Sequence, residues 1–230
     1  MSQPRNLLRA AVFAVLAAAV AACSGPAFKP GNVAKTDIDT VTDTHLRTLD
    51  ADLRDLTTKL YKRNPRELKK APKETIDSRL DELFGKPGPL RFPELNDVHS
   101  TDAMLLCFDN NYKGDRVFAV MAGLIDMLHK SYGYHTEFFV LDELNEQKLY
   151  DSARNIEILV WRLNHKHDPQ GALYLLTNDT NDSDTNLSFE RLFGKMIEVQ
   201  DLMATIVSDR TQRSINHVVQ SVATMVFLPI

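Results

Sequence analysis

In Val117-Phe118-Ala119-Val120-Met121-Ala122-Gly123-Leu124-Ile125-Asp126-Met127-Leu128, the apolar residues 117, 120, 121, 124, 125 and 128 recur at steps that return to one face of a helix. The stripe is wide, and a helix carrying such a stripe is expected at the centre of a core. Gly133 ends it. Just upstream, the capping cluster Ser100-Thr101-Asp102 precedes the apolar run Met104-Leu105-Leu106-Cys107-Phe108, and Asn110-Asn111 and Gly114-Asp115 then interrupt the pattern.

The same periodicity continues outward. Leu149, Ala153, Ile156, Val160 and Leu163 predict a helix ending near His165, and Asp168-Pro169 predicts a short helix through Leu176 by its cap and proline. Two further helices are expected over about 187–207, with Leu192, Met196, Val199, Met203 and Ile206, and about 209–227, with Ile215, Val218, Val222 and Val226. Phe138-Phe139-Val140-Leu141 suits a short buried strand or the first turn of a helix, and four residues do not decide between them. Trp161, Phe108, Phe138 and Phe139 read as core residues.

Toward the N-terminus, Leu46, Leu49, Leu53, Leu56 and Leu60 form a narrow leucine seam with charged residues between them. About two heptads are too few for a coiled coil, so packing onto the protein's own body is expected. Asn64-Pro65 starts a short helix, another follows Pro72 with Ile76, Leu80, Leu83 and Phe84 on one face, and Gly85-Lys86-Pro87-Gly88-Pro89 stops it. There is no run of alternating strands and no internal repeat. The expected fold is all-α, an irregular or orthogonal helical bundle.

The chain begins differently. Arg5 and Arg9 precede an apolar stretch from Ala10 to Ala22, the charged-then-apolar order of an export signal, and the run is too short for a stable membrane span. Val20-Ala21-Ala22-Cys23 resembles the lipobox of bacterial lipoproteins. That resemblance implies cleavage before Cys23, a thioether diacylglycerol on its sulfur and acylation of the new amino group by a fatty acid such as palmitate. Two or more acyl chains suffice for stable attachment. By the sorting rules of that class, Ser24 after the cysteine favours the outer membrane, facing the periplasm.

The expected organisation is therefore a signal peptide over 1–22, a lipidated cysteine and flexible tether over 23–36, a helical arm over 37–84, a Pro-rich loop over 85–100 and a main helical domain over 101–230. Removing 22 residues from 230 leaves 208, enough for a sizeable core. Loss of Arg5 and Arg9 takes the formal charge from −4 to −6, a mildly acidic balance with no nucleic-acid signature. With Cys23 lipidated, Cys107 has no intramolecular disulfide partner, and its apolar neighbours predict burial.

The sequence holds no Gly-rich phosphate loop, no Gly-x-Ser-x-Gly elbow, no Ser-x-x-Lys pair and no His-Glu-x-x-His. Two weak metal candidates exist. His165 and His167 flank Lys166 beside Asp168, but neighbours two apart on a helix diverge, and histidines at a helix C-terminus already meet its dipole favourably. Asp179, Asn181, Ser183 and Glu190 stand at positions 1, 3, 5 and 12 of a calcium-loop spacing, yet Asp184 replaces the turn glycine and Asn186 the usual aliphatic residue. A polar loop capping the next helix explains the segment as well, and no cofactor is expected.

Lys59, Lys62, Arg63, Arg66, Lys69 and Lys70, with Lys73, cluster in an otherwise acidic chain. They fit a solvated helix face, or a surface for anionic lipid or another anionic envelope component. The expected function is a lipid-anchored, non-enzymatic interaction or assembly module whose arm binds an envelope protein partner. The rival is an enzyme or a small-ligand binder in the 101–230 core using Asp102, Asp109, His129 or the His165 and His167 pair; a cleft where two of these converge would favour it. Spacing shows no partner for His129, His135 or His217.

Overall fold

A computed structural model of the chain describes residues 35–139, 141–181, 184–217 and 226–230. The signal segment, the lipobox with Cys23 and nearly all of the tether lie outside these residues, as do Val140, Ser183, Val218 and Val222.

The fold is all-α. Among the described residues seven α-helices follow in order: α1 (Asp37–Arg63), α2 (Pro65–Leu68), α3 (Ile76–Phe84), α4 (Ser100–Leu106), α5 (Arg116–Ser131), α6 (Glu146–His165) and α7 (Ser188–Thr211). None among the described residues is long and apolar enough to cross a membrane.

Helix α1 starts where the sequence offers a cap. The Thr36 side chain accepts from the Asp39 N–H, while the Asp39 carboxylate accepts from the Thr36 N–H at 2.7 Å, and Asp37 and Asp39 oppose the positive end of the dipole. It ends at Asn64, ahead of Pro65, which cannot donate a backbone hydrogen bond. All five leucines of its seam are buried and share one apolar cluster with Val117, Phe118, Leu124 and Leu128 of α5 and with Met196 and Met203 of α7. The seam thus closes on the protein's own body. At 27 residues α1 is about 40 Å long, so its two ends present well-separated surfaces.

Helix α5 sits in the middle, as its stripe predicts, with Val117 through Leu128 all buried. Gly123 is where α4 crosses it: a Cβ there would stand 2.5 Å from the Met104 nitrogen and 2.5 Å from the Ser100 carbonyl oxygen. Two buried polar clusters tie the helices together, their members bonded to one another as burial favours. Gln200 of α7, fully buried, accepts from the Tyr132 hydroxyl at 2.8 Å and donates to Ser131 at 3.1 Å and Ser152 at 2.5 Å, joining α5, α6 and α7. Asp126 accepts from the Leu90 N–H at 2.7 Å and the Tyr134 hydroxyl at 3.1 Å and lies 2.9 Å from His99 Nδ1, which fastens the 85–100 segment onto α5.

A third cluster surrounds Arg79 of α3, which is 2% exposed. Its guanidinium forks onto Glu94 at 2.6 and 2.9 Å, reaches Glu82 at 2.8 Å, lies 3.8 Å from Asp115 and stacks 3.9 Å above the Phe118 ring. Burial disfavours its charge, but the bonds to Glu94 and Glu82 more than offset this and raise its pKa. Asp115 also accepts from Tyr61 at 2.9 Å; burial raises its pKa against those donors.

Three expectations, two helices and one cap, are corrected, and one element is new. Residues 168–176 are not a helix: Asp168 Oδ1 accepts from the Gln170 and Ala172 N–H groups at 2.9 Å, Gly171 sits at φ +81°, and His167 pairs with Leu173 as an isolated bridge. The aspartate caps a turn, and the same Asp-Pro start serves both outcomes. Beyond Thr211 the expected last helix is absent from 212–217 and 226–230, the described parts of its range. A short antiparallel hairpin, β1 (Asp179–Asn181) with β2 (Asp184–Asn186), was not anticipated. In addition, Ser100 opens α4 at φ 55° with no side-chain cap formed, so the expected capping cluster does not cap.

Candidate anion-binding site

The end of α1 farthest from residue 35 carries a cleft of about 310 Å³ built from three separate stretches of chain. Arg66, Glu67 and Lys70 come from α2 and the turn after it; Asn110 and Lys113 come from the α4–α5 connection and Arg116 from the first turn of α5; Asp168, Pro169, Gln170 and Tyr174 come from the turn after α6. Local chemistry fixes each stretch. Pro65 at the first helical position sets α2, the Asp109 carboxylate holds the Asn111 N–H at 2.8 Å, and Asp115 caps α5 through the Phe118 N–H at 3.0 Å.

All four cations of the cleft donate to backbone carbonyls. Arg66 Nη2 reaches the Tyr174 oxygen at 2.9 Å and Lys70 Nζ that of Gly114 at 3.1 Å. Lys113 Nζ reaches Asn110 at 3.1 Å, and Arg116 reaches Cys107 at 2.6 Å, Tyr112 at 2.9 Å and Leu106 at 3.2 Å. A carbonyl holds a cation in place without cancelling its charge. Arg116 also lies 4.9 Å from the centre of the Tyr174 ring, whose hydroxyl donates to the Asn110 side chain.

Among the described residues two carboxylates line the cleft, Glu67 and Asp168, against four cations, leaving two positive charges unmatched. Glu67 is 2% exposed and already engaged, by Lys70 at 2.6 Å, by Arg66 at 3.4 Å and by the Arg116 N–H at 2.9 Å, where its charge meets the start of α5. Asp168 spends one carboxylate oxygen on its own turn. The arrangement can therefore accept an anionic group with part of the desolvation and ordering cost already met by the fold.

The basic residues anticipated from sequence divide into two sets. Arg66 and Lys70 enter the cleft, whereas Lys62 and Lys69 are exposed and Lys59 pairs with Asp55 at 3.3 Å on the α1 surface; Arg63 is half-buried near the end of α1. Lys113 and Arg116 were missed, since they lie over forty residues away in sequence.

The remaining candidates do not converge. Asp102 is exposed on α4, and Asp109 is engaged in its own turn. His165 Nδ1 lies 2.9 Å from the Trp161 carbonyl with the two rings stacked at 4.9 Å, and His167 Nδ1 lies 2.9 Å from the His165 carbonyl, so both turn toward backbone. Glu190 accepts from the Asn178 amide at 2.7 Å and the Asn164 amide at 3.1 Å, and the backbone of Asp179 and Asn181 runs in the hairpin instead of wrapping an ion. Among the described residues no three metal-binding side chains come together. Cys107 is fully buried, and burial pushes its thiol pKa up, which makes it a poor nucleophile.

His129 does acquire a partner that spacing did not show. Its Nε2 lies 2.8 Å from Asp50 of α1, in a second cleft of about 370 Å³ shared with Arg47, Arg54, Phe84, Lys86, Tyr134 and His135. A carboxylate can orient an imidazole for proton transfer, and among the described residues Thr136 also lines this cleft.

Comparisons with models of known families, with curated proteins and with solved structures find no match to this chain.

Proposed function

We propose that this chain is a lipid-anchored envelope protein that acts without catalysis, as an interaction or assembly module on the periplasmic side of a membrane, probing for a partner with an anionic group. Cys23 supplies the covalent lipid, the residues between it and Lys35 the tether and the helical body the binding surface. One observation carries the interaction part of this reading: Arg66, Lys70, Lys113 and Arg116 are held around one cleft by backbone carbonyls, with two positive charges left unmatched. An envelope protein partner presenting a carboxylate or phosphate group would find these donors in position.

The position of the cleft adds support. Lys35, the first described residue, is held by Asp43 and by Glu137 at one end of α1, and the cleft lies at the other, about 40 Å away. A body tethered through residue 35 can turn its basic end away from the membrane that anchors it.

Crosslinking in intact cells, followed by affinity recovery and mass spectrometry, tests the reading. Arg66→Glu with Lys113→Glu is expected to lower recovery of the partner by roughly tenfold, the equivalent of about 1.4 kcal/mol and the scale of one charge-assisted hydrogen bond. Lys62→Glu with Lys69→Glu, which reverses two charges on the solvated face, should change recovery less than about twofold. Equal losses in both variants would mean that overall charge and not the cleft governs capture. Full recovery with the cleft variant would remove the cleft from the account and move attention to the His129 and Asp50 cleft.

A further inference from the structure

We infer that the cleft between α2, the α4–α5 connection and the 168–174 turn is a site for a phosphate monoester in its dianionic form. This inference rests on the anion-capturing reading above and specifies its ligand.

Charge balance points to a dianion. Among the described residues four cations and two carboxylates line the cleft, so the unmatched charge is +2, and Glu67, buried against Lys70 and the first turn of α5, is already engaged. A single carboxylate would neutralise half of that surplus; a phosphate monoester carries about −1.5 to −2 at neutral pH, since its second pKa is about 6. The donors suit the same group. Arg66 offers a planar fork whose Nη2 is oriented by Tyr174, while Lys70, directed at Glu67 and Gly114, and Lys113, directed at Asn110, still have ammonium hydrogens to offer. Gln170 and Asn110 at the rim add side-chain amides that can meet hydroxyl groups of the esterified alcohol. The volume, about 310 Å³, fits a small esterified headgroup or sugar phosphate and is too small for a helix.

Two sources supply this chemistry, a lipid headgroup and a water-soluble or polymer-borne ester. The mature chain with Cys23→Ala should be titrated calorimetrically with glycerol phosphate and inorganic phosphate, and in parallel with vesicles of phosphatidylcholine containing phosphatidic acid. Millimolar or tighter binding of the soluble esters, weakened roughly tenfold by Arg66→Ala with Lys113→Ala and unchanged by Lys62→Ala, is the expected result. Vesicle binding with the same dependence on Arg66 and Lys113, without binding of the soluble esters, would assign the source to a headgroup.

Ligand ionisation gives a second readout. Among the described residues no histidine lines the cleft, and glycerol phosphate binding should strengthen between about pH 5.5 and 7.5 as the ester loses its second proton at about pH 6, while sulfate binding stays level. Acetate bound as tightly as phosphate at pH 7.5, or binding unaffected by the double variant, overturns the inference, as does no binding to any of the probes. If the probes fail while Arg66→Glu with Lys113→Glu still abolishes capture of the cellular partner, the ligand class falls and the interaction reading survives.

Discussion

Arg79→Ala is expected to lower the stability of the folded body by about 3 kcal/mol, the lower end of the cost of removing one partner from a buried ion pair. Four contacts are lost together: the fork onto Glu94, the bond to Glu82, the attraction to Asp115 and the stacking on Phe118. The lower end applies because Glu94 and Glu82 are 38% and 34% exposed and can return to water, and because Asp115 keeps its bonds from Tyr61 and the Phe118 N–H. Urea denaturation of the mature chain checks this, with a lowered midpoint at unchanged slope. A loss under about 1 kcal/mol would mean that the cluster contributes little net stability.

Gly123→Ala gives a test by sign. Helix propensity alone favours alanine over glycine by about 1 kcal/mol in a helix interior. At position 123, however, the added methyl group would meet backbone atoms of Ser100 and Met104 at 2.5 Å, and only displacement of α4 relieves it. Overpacking costs about 1–3 kcal/mol, and contact with two backbone atoms puts this site at the upper end, so after the propensity gain a net destabilisation of about 2 kcal/mol is expected, read from the same denaturation curves. A stabilised variant would contradict the close crossing of α4 over α5. Because α4 leads through Cys107 into the connection bearing Lys113 and Arg116, its displacement should also disturb the cleft.

The helices were legible wherever apolar residues kept a period of three and four over several turns, as in the stripe from Val117 to Leu128 and the seam from Leu46 to Leu60. Side chains on one face of a long helix must be buried somewhere, and that constraint is local enough to read. Asp168-Pro169 misled because an aspartate side chain that accepts backbone N–H groups can open a helix or close a turn, and Gly171 at φ +81° settles it as a turn. The hairpin at 179–186 carries no apolar alternation, so no pattern announced it. Asp126 was the single charge in the central stripe; its role in holding Leu90, His99 and Tyr134 depends on a segment that joins it only in the folded chain.

The cleft was half legible for the same reason. Arg66 and Lys70 stood out as part of a basic run, whereas Lys113 and Arg116 are isolated cations in sequence and gain their meaning from Glu67, which lies 49 residues before Arg116 and receives its N–H. Which members of a basic run are solvated and which are fixed by carbonyls is decided by tertiary neighbours, and nothing in the run itself separates Arg66 from Lys62.

An anchored module requires Cys23 to carry lipid, and the mass of the N-terminal peptide of the mature protein, isolated from a membrane fraction, measures this directly. The expected peptide begins at Cys23 and is heavier than its amino acids by a diacylglyceryl group and an acyl chain, and Cys23→Ala abolishes both the added mass and membrane retention. An unmodified Cys23, or a chain that stays with the membrane equally well after Cys23→Ala, would contradict the lipoprotein reading and with it the proposed role at the envelope.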